Sequence, residues 1–139
     1  MGTINLSATD RTRITAAIKA AEQGHRGEIM VHVEVRCFDA LKRAAKLFKE
    51  LGVDKTKQGT GVLLYVASET RKAAVWAGAG VKDGDSLGTW RPVFAALEAH
   101  RDDGVEGLCA AIKALGRILT VHAAGADTHG NELGDGVSS

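Results

Sequence analysis

The sequence predicts a single α/β domain, an α/β/α layering in which a mixed β-sheet is flanked by helices. Three observations predict it. The 139 residues suit one domain. A valine-rich alternating run at 28–37 and an unbroken apolar run at 62–67 are separated by a stretch with helical spacing, the pattern of a right-handed parallel crossover. A further Ala/Val-rich run, Lys72 to Trp76, follows after the short polar turn Ser68-Glu69-Thr70-Arg71, which predicts an antiparallel neighbour. The core is expected over about 7–122, with a tail at 123–139.

The elements follow in order. Helix one is expected from Thr9 to Gln23, with Ser7 and Asp10 as a capping box and Ile14, Ala17, Ile18 and Ala21 as its apolar stripe. Gly24 ends it. In the first strand Ile29, Val31, Val33 and Val35 form one face, buried, and Met30, His32, Glu34 and Arg36 the other, mixed. Asp39 caps a second helix reaching Leu51, with Leu41, Ala44, Ala45, Phe48 and Leu51 inside. Gly61 opens the central strand, expected to be buried on both faces. After Gly78 comes an irregular loop to Ser86. A helix to Ala99 then buries Trp90, Val93, Phe94 and Leu97, with Pro92 tolerated in its first turn. Asp102 or Asp103 caps a last helix reaching His122, with Leu108, Ile112, Leu115 and Leu119 inside. The tail lacks periodicity.

Composition excludes several function classes. Apolar residues are 45% and charged residues 25%, ordinary globular proportions. A formal net charge of +1 gives no steering toward nucleic acid or anionic lipid, and 4% aromatics supply little base-stacking surface. No nucleic-acid partner is expected. The charge is uneven: residues 1–75 carry 13 Lys/Arg and 8 Asp/Glu, and residues 76–139 carry 5 and 9. Two cysteines, Cys37 and Cys109, are too few for a disulfide scaffold and are expected as buried free thiols. No apolar stretch is long enough to span a bilayer, and the first residues lack a basic-then-apolar leader. The expectation is a cytoplasmic protein without a transmembrane segment.

No complete catalytic motif is present. Gly78-Ala79-Gly80 follows the third strand and opens no helix, unlike a dinucleotide fingerprint. Asp83-Gly84-Asp85-Ser86 begins like a calcium loop but lacks the later acidic ligands of an EF-hand. It reads either as a loose cation site or as a solvated turn and cap. His122 ends a helix, where carbonyl dipoles favour its ring. Topology supplies a better lead. With two parallel strands and a third running back, Glu28, Thr60 and Gly78 share one rim of the sheet, and the loop bearing Asp83 and Asp85 leaves from it. Glu28 there is either a ligand for a divalent cation or a strand-start residue paired with Arg26 or a lysine.

Several runs resemble the TPM domain family, named from proposed phosphatases of thylakoid and membrane-associated proteins, and most of all its small soluble bacterial branch. Gly27-Glu28-Ile29 with its valines, Leu47-Phe48, Leu51-Gly52, Gly61-Val62-Leu63-Leu64-Tyr65-Val66-Ala67, Glu69-Thr70-Arg71-Lys72, Trp90, Gly107-Leu108 and Asn131-Glu132-Leu133-Gly134-Asp135 carry the resemblance in order. It implies a divalent-cation-dependent (Mg, Mn or Ca) hydrolysis of a small phosphate ester. Glu28, Asp83 and Asp85 would be the ligands, and Thr60 would orient water or a phosphate oxygen. Two departures fall on the same rim. Thr60 stands where the family has Asn, and Ala77-Gly78 stand where many members have Gly-Asp. The alternative is a non-catalytic domain that binds a protein partner or forms a homodimer. In the tail, Leu133 is expected to anchor the chain and Asn131 to satisfy local backbone groups.

Overall fold

The computed structural model describes residues 6–125 and 137–138. Helix α1 (Ala8–Ala21) leads to strand β1 (Glu28–Glu34), helix α2 (Ala40–Glu50), strand β2 (Gly61–Ala67) and strand β3 (Lys72–Ala77). A 3₁₀ turn, Leu87–Trp90, runs into α3 (Arg91–Ala99), followed by α4 (Gly104–His122) and the short strand β4 (Val137–Ser138). The sheet order is β3-β2-β1-β4. β1 runs parallel to β2 and to β4, and β2 pairs antiparallel with β3. The mixed sheet and its layering are as the sequence predicts.

Local chemistry explains the ends. Ser7 Oγ accepts the Asp10 amide at 3.1 Å, and the Asp10 carboxylate accepts the Ser7 amide at 3.2 Å, a complete capping box. Asp39 and Asp103 cap α2 and α4 by accepting the amides of Lys42 and Glu106. Gly24 and Gly52 take positive φ of 83° and 74° where α1 and α2 stop. Lys82 donates its amide to the His122 carbonyl, and the His122 ring donates from Nδ1 to the Lys82 carbonyl at 2.7 Å. The end of α4 is thereby tied to the 78–86 loop.

Two apolar layers enclose the sheet. On one face Ile14, Ile18, Val31, Leu64, Trp90, Val93, Ile112 and Leu115 belong to the larger core, built from α1, α3 and α4. On the other, α2 brings Ala44, Leu47 and Phe48 onto Met30, Leu63, Tyr65 and Ala74. Four details differ from expectation. β1 is buried on both faces, His32 and Glu28 included, with Met30 packed into the apolar layer that α2 covers. Val35 is exposed, since β1 has already ended. Leu41 is exposed and Leu47 is buried, because the first turn of α2 overhangs the edge of β3. Ala45, Leu51, Phe94, Leu97 and both cysteines are half-buried, and the two thiols are free.

Asn131 and Leu133 lie outside the described residues. Beyond them, Val137 pairs with Val31 of β1 and packs against the larger core. Deleting residues 130–139 is expected to lower the thermal midpoint by a few degrees, the equivalent of about 1 kcal/mol for a domain of this size. A scanning-calorimetry midpoint unchanged within error would show that this pairing adds nothing.

Candidate functional site

The rim expected from topology is assembled. Glu28 is in register with Gly61, and its amide donates to the Thr60 carbonyl at 3.0 Å. The Gly78 amide donates to Gly61 O, and the Gly80 amide to Gly59 O, each at 2.8 Å. The loop before β2 and the loop after β3 therefore lie backbone against backbone. Only glycine permits this approach. A Cβ on Gly78 would collide with the Gly59 carbonyl oxygen, and one on Gly80 with that of Gln58. Gly59 itself has φ +66°. The Gly78-Ala79-Gly80 run is thus a packing device that holds the rim shut.

The side chains at the rim are deeply set. Glu28 is 3% exposed and Thr60 1%. The Thr60 hydroxyl donates to the Arg26 carbonyl at 2.7 Å. Arg26 in turn donates from Nε to Ala124 O, and its amide to Ala123 O, joining the rim to the end of α4. Asp83 and Asp85 lie on the exposed surface of the loop. Asp83 takes φ +56°, and its carbonyl accepts the Thr89 hydroxyl and the Ser86 amide, so its backbone closes the turn that leads into the 3₁₀ segment. Asp85 lines a recess with Ala77 and Trp90 at the outer edge of β3.

A two-metal centre needs several oxygens converging on one point. Here the carbonyls of Gly59, Thr60 and Gly61 already accept backbone amides, and the threonine hydroxyl hydrogen is committed to Arg26. Among the described residues, no three His, Cys, Asp or Glu side chains gather as a ligand set.

At the opposite end of β1 lies a polar cluster that sequence reasoning did not single out. Tyr65 OH donates to Glu34 Oε2 at 2.6 Å, and His32 Nε2 donates to Oε1 at 3.0 Å. Arg43 approaches Oε1 from Nη2 at 2.5 Å and both oxygens from Nε. His32 and Tyr65 are register partners and stack with their ring centroids 6.0 Å apart. The Arg43 hydrogen bonds, supported by Tyr65 and His32, hold the Glu34 carboxyl down at about 2. Burial pushes the Tyr65 hydroxyl up, with the neighbouring Cys37 and Glu34 adding to it. A carboxylate this acidic has no proton to give near neutrality, so the cluster clamps α2 to the sheet. The signal was present: His32 and Glu34 share the mixed face of β1, and the arginine lies on the following helix.

Beside this clamp, Arg36, Lys42, Arg43 and Lys46 line an open cavity of about 460 Å³. Arg36 is paired with Glu69, and Arg43 with Glu34. The Asp39 carboxylate already occupies the N-terminal end of α2, where an anion would otherwise sit.

Comparison with known proteins places these features in context. The sequence pattern of the TPM domain matches residues 4–117. No curated protein sequence matches the chain. Among solved structures, it is similar to the BA42 protein of the psychrophilic bacterium Bizionia argentinensis. The identity is 29% and the TM-score 0.82, over 97% of this chain and 95% of that one. It shares its fold with the N-terminal domain of the cg2496 protein of Corynebacterium glutamicum. That match has 18% identity and a TM-score of 0.63, over 90% of this chain and 81% of the other.

Proposed function

The chain belongs to the TPM domain family, and from that premise we propose that this member is a binding or assembly domain rather than a metal-dependent phosphatase. One observation carries the reading: the rim closes on itself. Its carbonyls accept its own amides, the Thr60 hydroxyl donates to the Arg26 carbonyl, and the Thr56 hydroxyl accepts the Gly61 amide. The two departures from the family pattern, Thr60 and Ala77-Gly78, fall on this same rim. Family membership by itself supports a fold more strongly than a reaction.

The phosphatase reading retains one feature in its favour. Glu28 places a carboxylate, 3% exposed, at the start of β1 beside Thr60. In that reading a divalent cation would be held by Glu28 with Asp83 or Asp85, and the substrate would be a small phosphate ester. Hydrolysis of an aryl phosphate with and without Mg²⁺, Mn²⁺ or Ca²⁺ separates the two. Neither wild type nor Glu28→Gln is expected to show metal-stimulated turnover above background. A metal-dependent rate in wild type that Glu28→Gln abolishes would overturn the binding-domain reading.

A further inference from the structure

Among the described residues the outer edge of β3, the terminal strand of the sheet, is unpaired, and Val75 at its middle is 5% exposed. Gly78 bonds to Gly61 across the β2–β3 pair, so Trp76, Ala74 and Lys72 exchange the remaining bonds with β2. Ala73, Val75 and Ala77 therefore turn their backbone groups outward. Exposed edges of this kind are commonly blunted by charge, proline or a bulge. The only charge in β3 is Lys72 at its start, and its ammonium is drawn aside to the Phe38 carbonyl and over the Phe38 ring. The rest of the strand is apolar.

The surroundings of that edge are apolar as well. Leu41, Trp76 and Leu87 line a recess of about 390 Å³ that wraps around the strand from both faces of the sheet. They are 44%, 37% and 68% exposed, and Phe38, beside Lys72, is 94% exposed. An exposed apolar strip along an unpaired edge marks an interaction surface. Charge identifies the occupant. Arg71 and Lys72 border the starting end of β3, with Arg101 paired to Glu98 beside them, and Asp83 and Asp85 lie with Lys82 on the loop beyond its finishing end, so the first end is net basic and the second net acidic. Two copies of this edge set antiparallel bring the basic end of each against the acidic end of the other.

We propose that β3 joins two copies of the chain, pairing antiparallel with its counterpart about a two-fold axis at Val75. The surface is isologous, as a closed dimer requires. In this register Val75 meets Val75, and Ala73 meets Ala77, each with outward backbone groups. Trp76 lies across from Ala74 on the same face, a large side chain against a small one. The inference rests on the binding-domain reading above and names its partner as a second copy.

Sedimentation velocity over a concentration series tests it, together with amide hydrogen exchange. The wild type is expected to dimerise, with protection of the Ala73, Val75 and Ala77 amides rising with concentration. Trp76→Lys, at a partly exposed site, is expected to weaken dimerisation at least tenfold with the fold intact by circular dichroism. Arg71→Glu is expected to weaken it, and adding Asp85→Arg to restore it. A chain that stays monomeric, or a dimer indifferent to Trp76→Lys with those three amides unprotected, overturns the proposal. Protection of the same amides by an extended peptide of another protein, the chain itself staying monomeric, also overturns the second-copy assignment. Failure here is distinguishable from failure of the function above. A monomer without phosphatase turnover removes only the dimer, whereas metal-dependent turnover removes the binding-domain reading whatever the oligomeric state.

Discussion

Leu64→Ala is expected to destabilise the domain by about 2–5 kcal/mol, the usual range for emptying a fully buried leucine site. Leu64 has no exposed surface and sits in the middle of β2, which pairs with β1 on one side and β3 on the other. Its register partners are Val31 and Val75, and it faces the core built by α1, α3 and α4. Neighbours held by two ladders and a helical layer collapse poorly into a void. Urea unfolding followed by circular dichroism reads the loss as a lower midpoint at unchanged slope. Leu41→Ala is the control. Its side chain is 44% exposed at the margin of the β3 edge, so its truncation is expected to cost less than about 1 kcal/mol. Equal losses at the two positions would refute the central placement of β2.

The second large effect is a pH-dependent contribution from Glu34. Its folded carboxyl lies at about 2, against an ordinary value of 4.5. A carboxyl depressed by folding adds stability that is complete above the ordinary range and is lost as pH falls through the folded value. The window runs from about pH 5 down to about pH 2. Glu34→Gln leaves Arg43 without its anion and weakens the bonds from Tyr65 and His32. At neutral pH it is expected to cost about 2–3 kcal/mol, and the gap to wild type is expected to narrow progressively through that window. Unfolding free energies for both proteins at several pH values make the check. A gap that stays constant down to pH 2 would mean that the Glu34 ionisation is not what holds α2 to the sheet.

The residues of the rim and of the clamp differ in how far one sequence reveals them. Glu28, Thr60 and Gly78 were legible as neighbours because strand direction alone brings the starts of β1 and β2 to the end of β3. Their side-chain chemistry was not legible. That the Thr60 hydroxyl reaches the Arg26 carbonyl depends on how the turn before β1 is folded. That Gly78 and Gly80 act as close-packing positions depends on the path of the Gln58–Gly61 loop. Asp83 and Asp85 could be assigned to a loop, but the side of the rim to which that loop folds is decided by its ties to α4 and Trp90. The clamp shows the same division. His32 and Glu34 were placed on one face of β1 by period-two alternation. Only the crossing of α2 over the sheet brings Arg43 onto that carboxylate.

By itself, the sequence determined the α/β class, the order of its principal helices and strands, the parallel and antiparallel pairings, the helix caps and most of the core. These follow from local periodicity, short links and capping side chains, which act over a few residues. The resemblance of its motifs to the TPM domain was legible in the same way. Only the tertiary structure decided that β1 is buried on both faces, that Val137 adds a strand beside it, and that the rim locks itself shut. Only the tertiary structure left β3 with an apolar edge that no other described strand pairs, beneath Leu41 and Trp76. Each of these depends on contacts between segments distant in the chain. Their energies come from surfaces that exist only once the layers have packed.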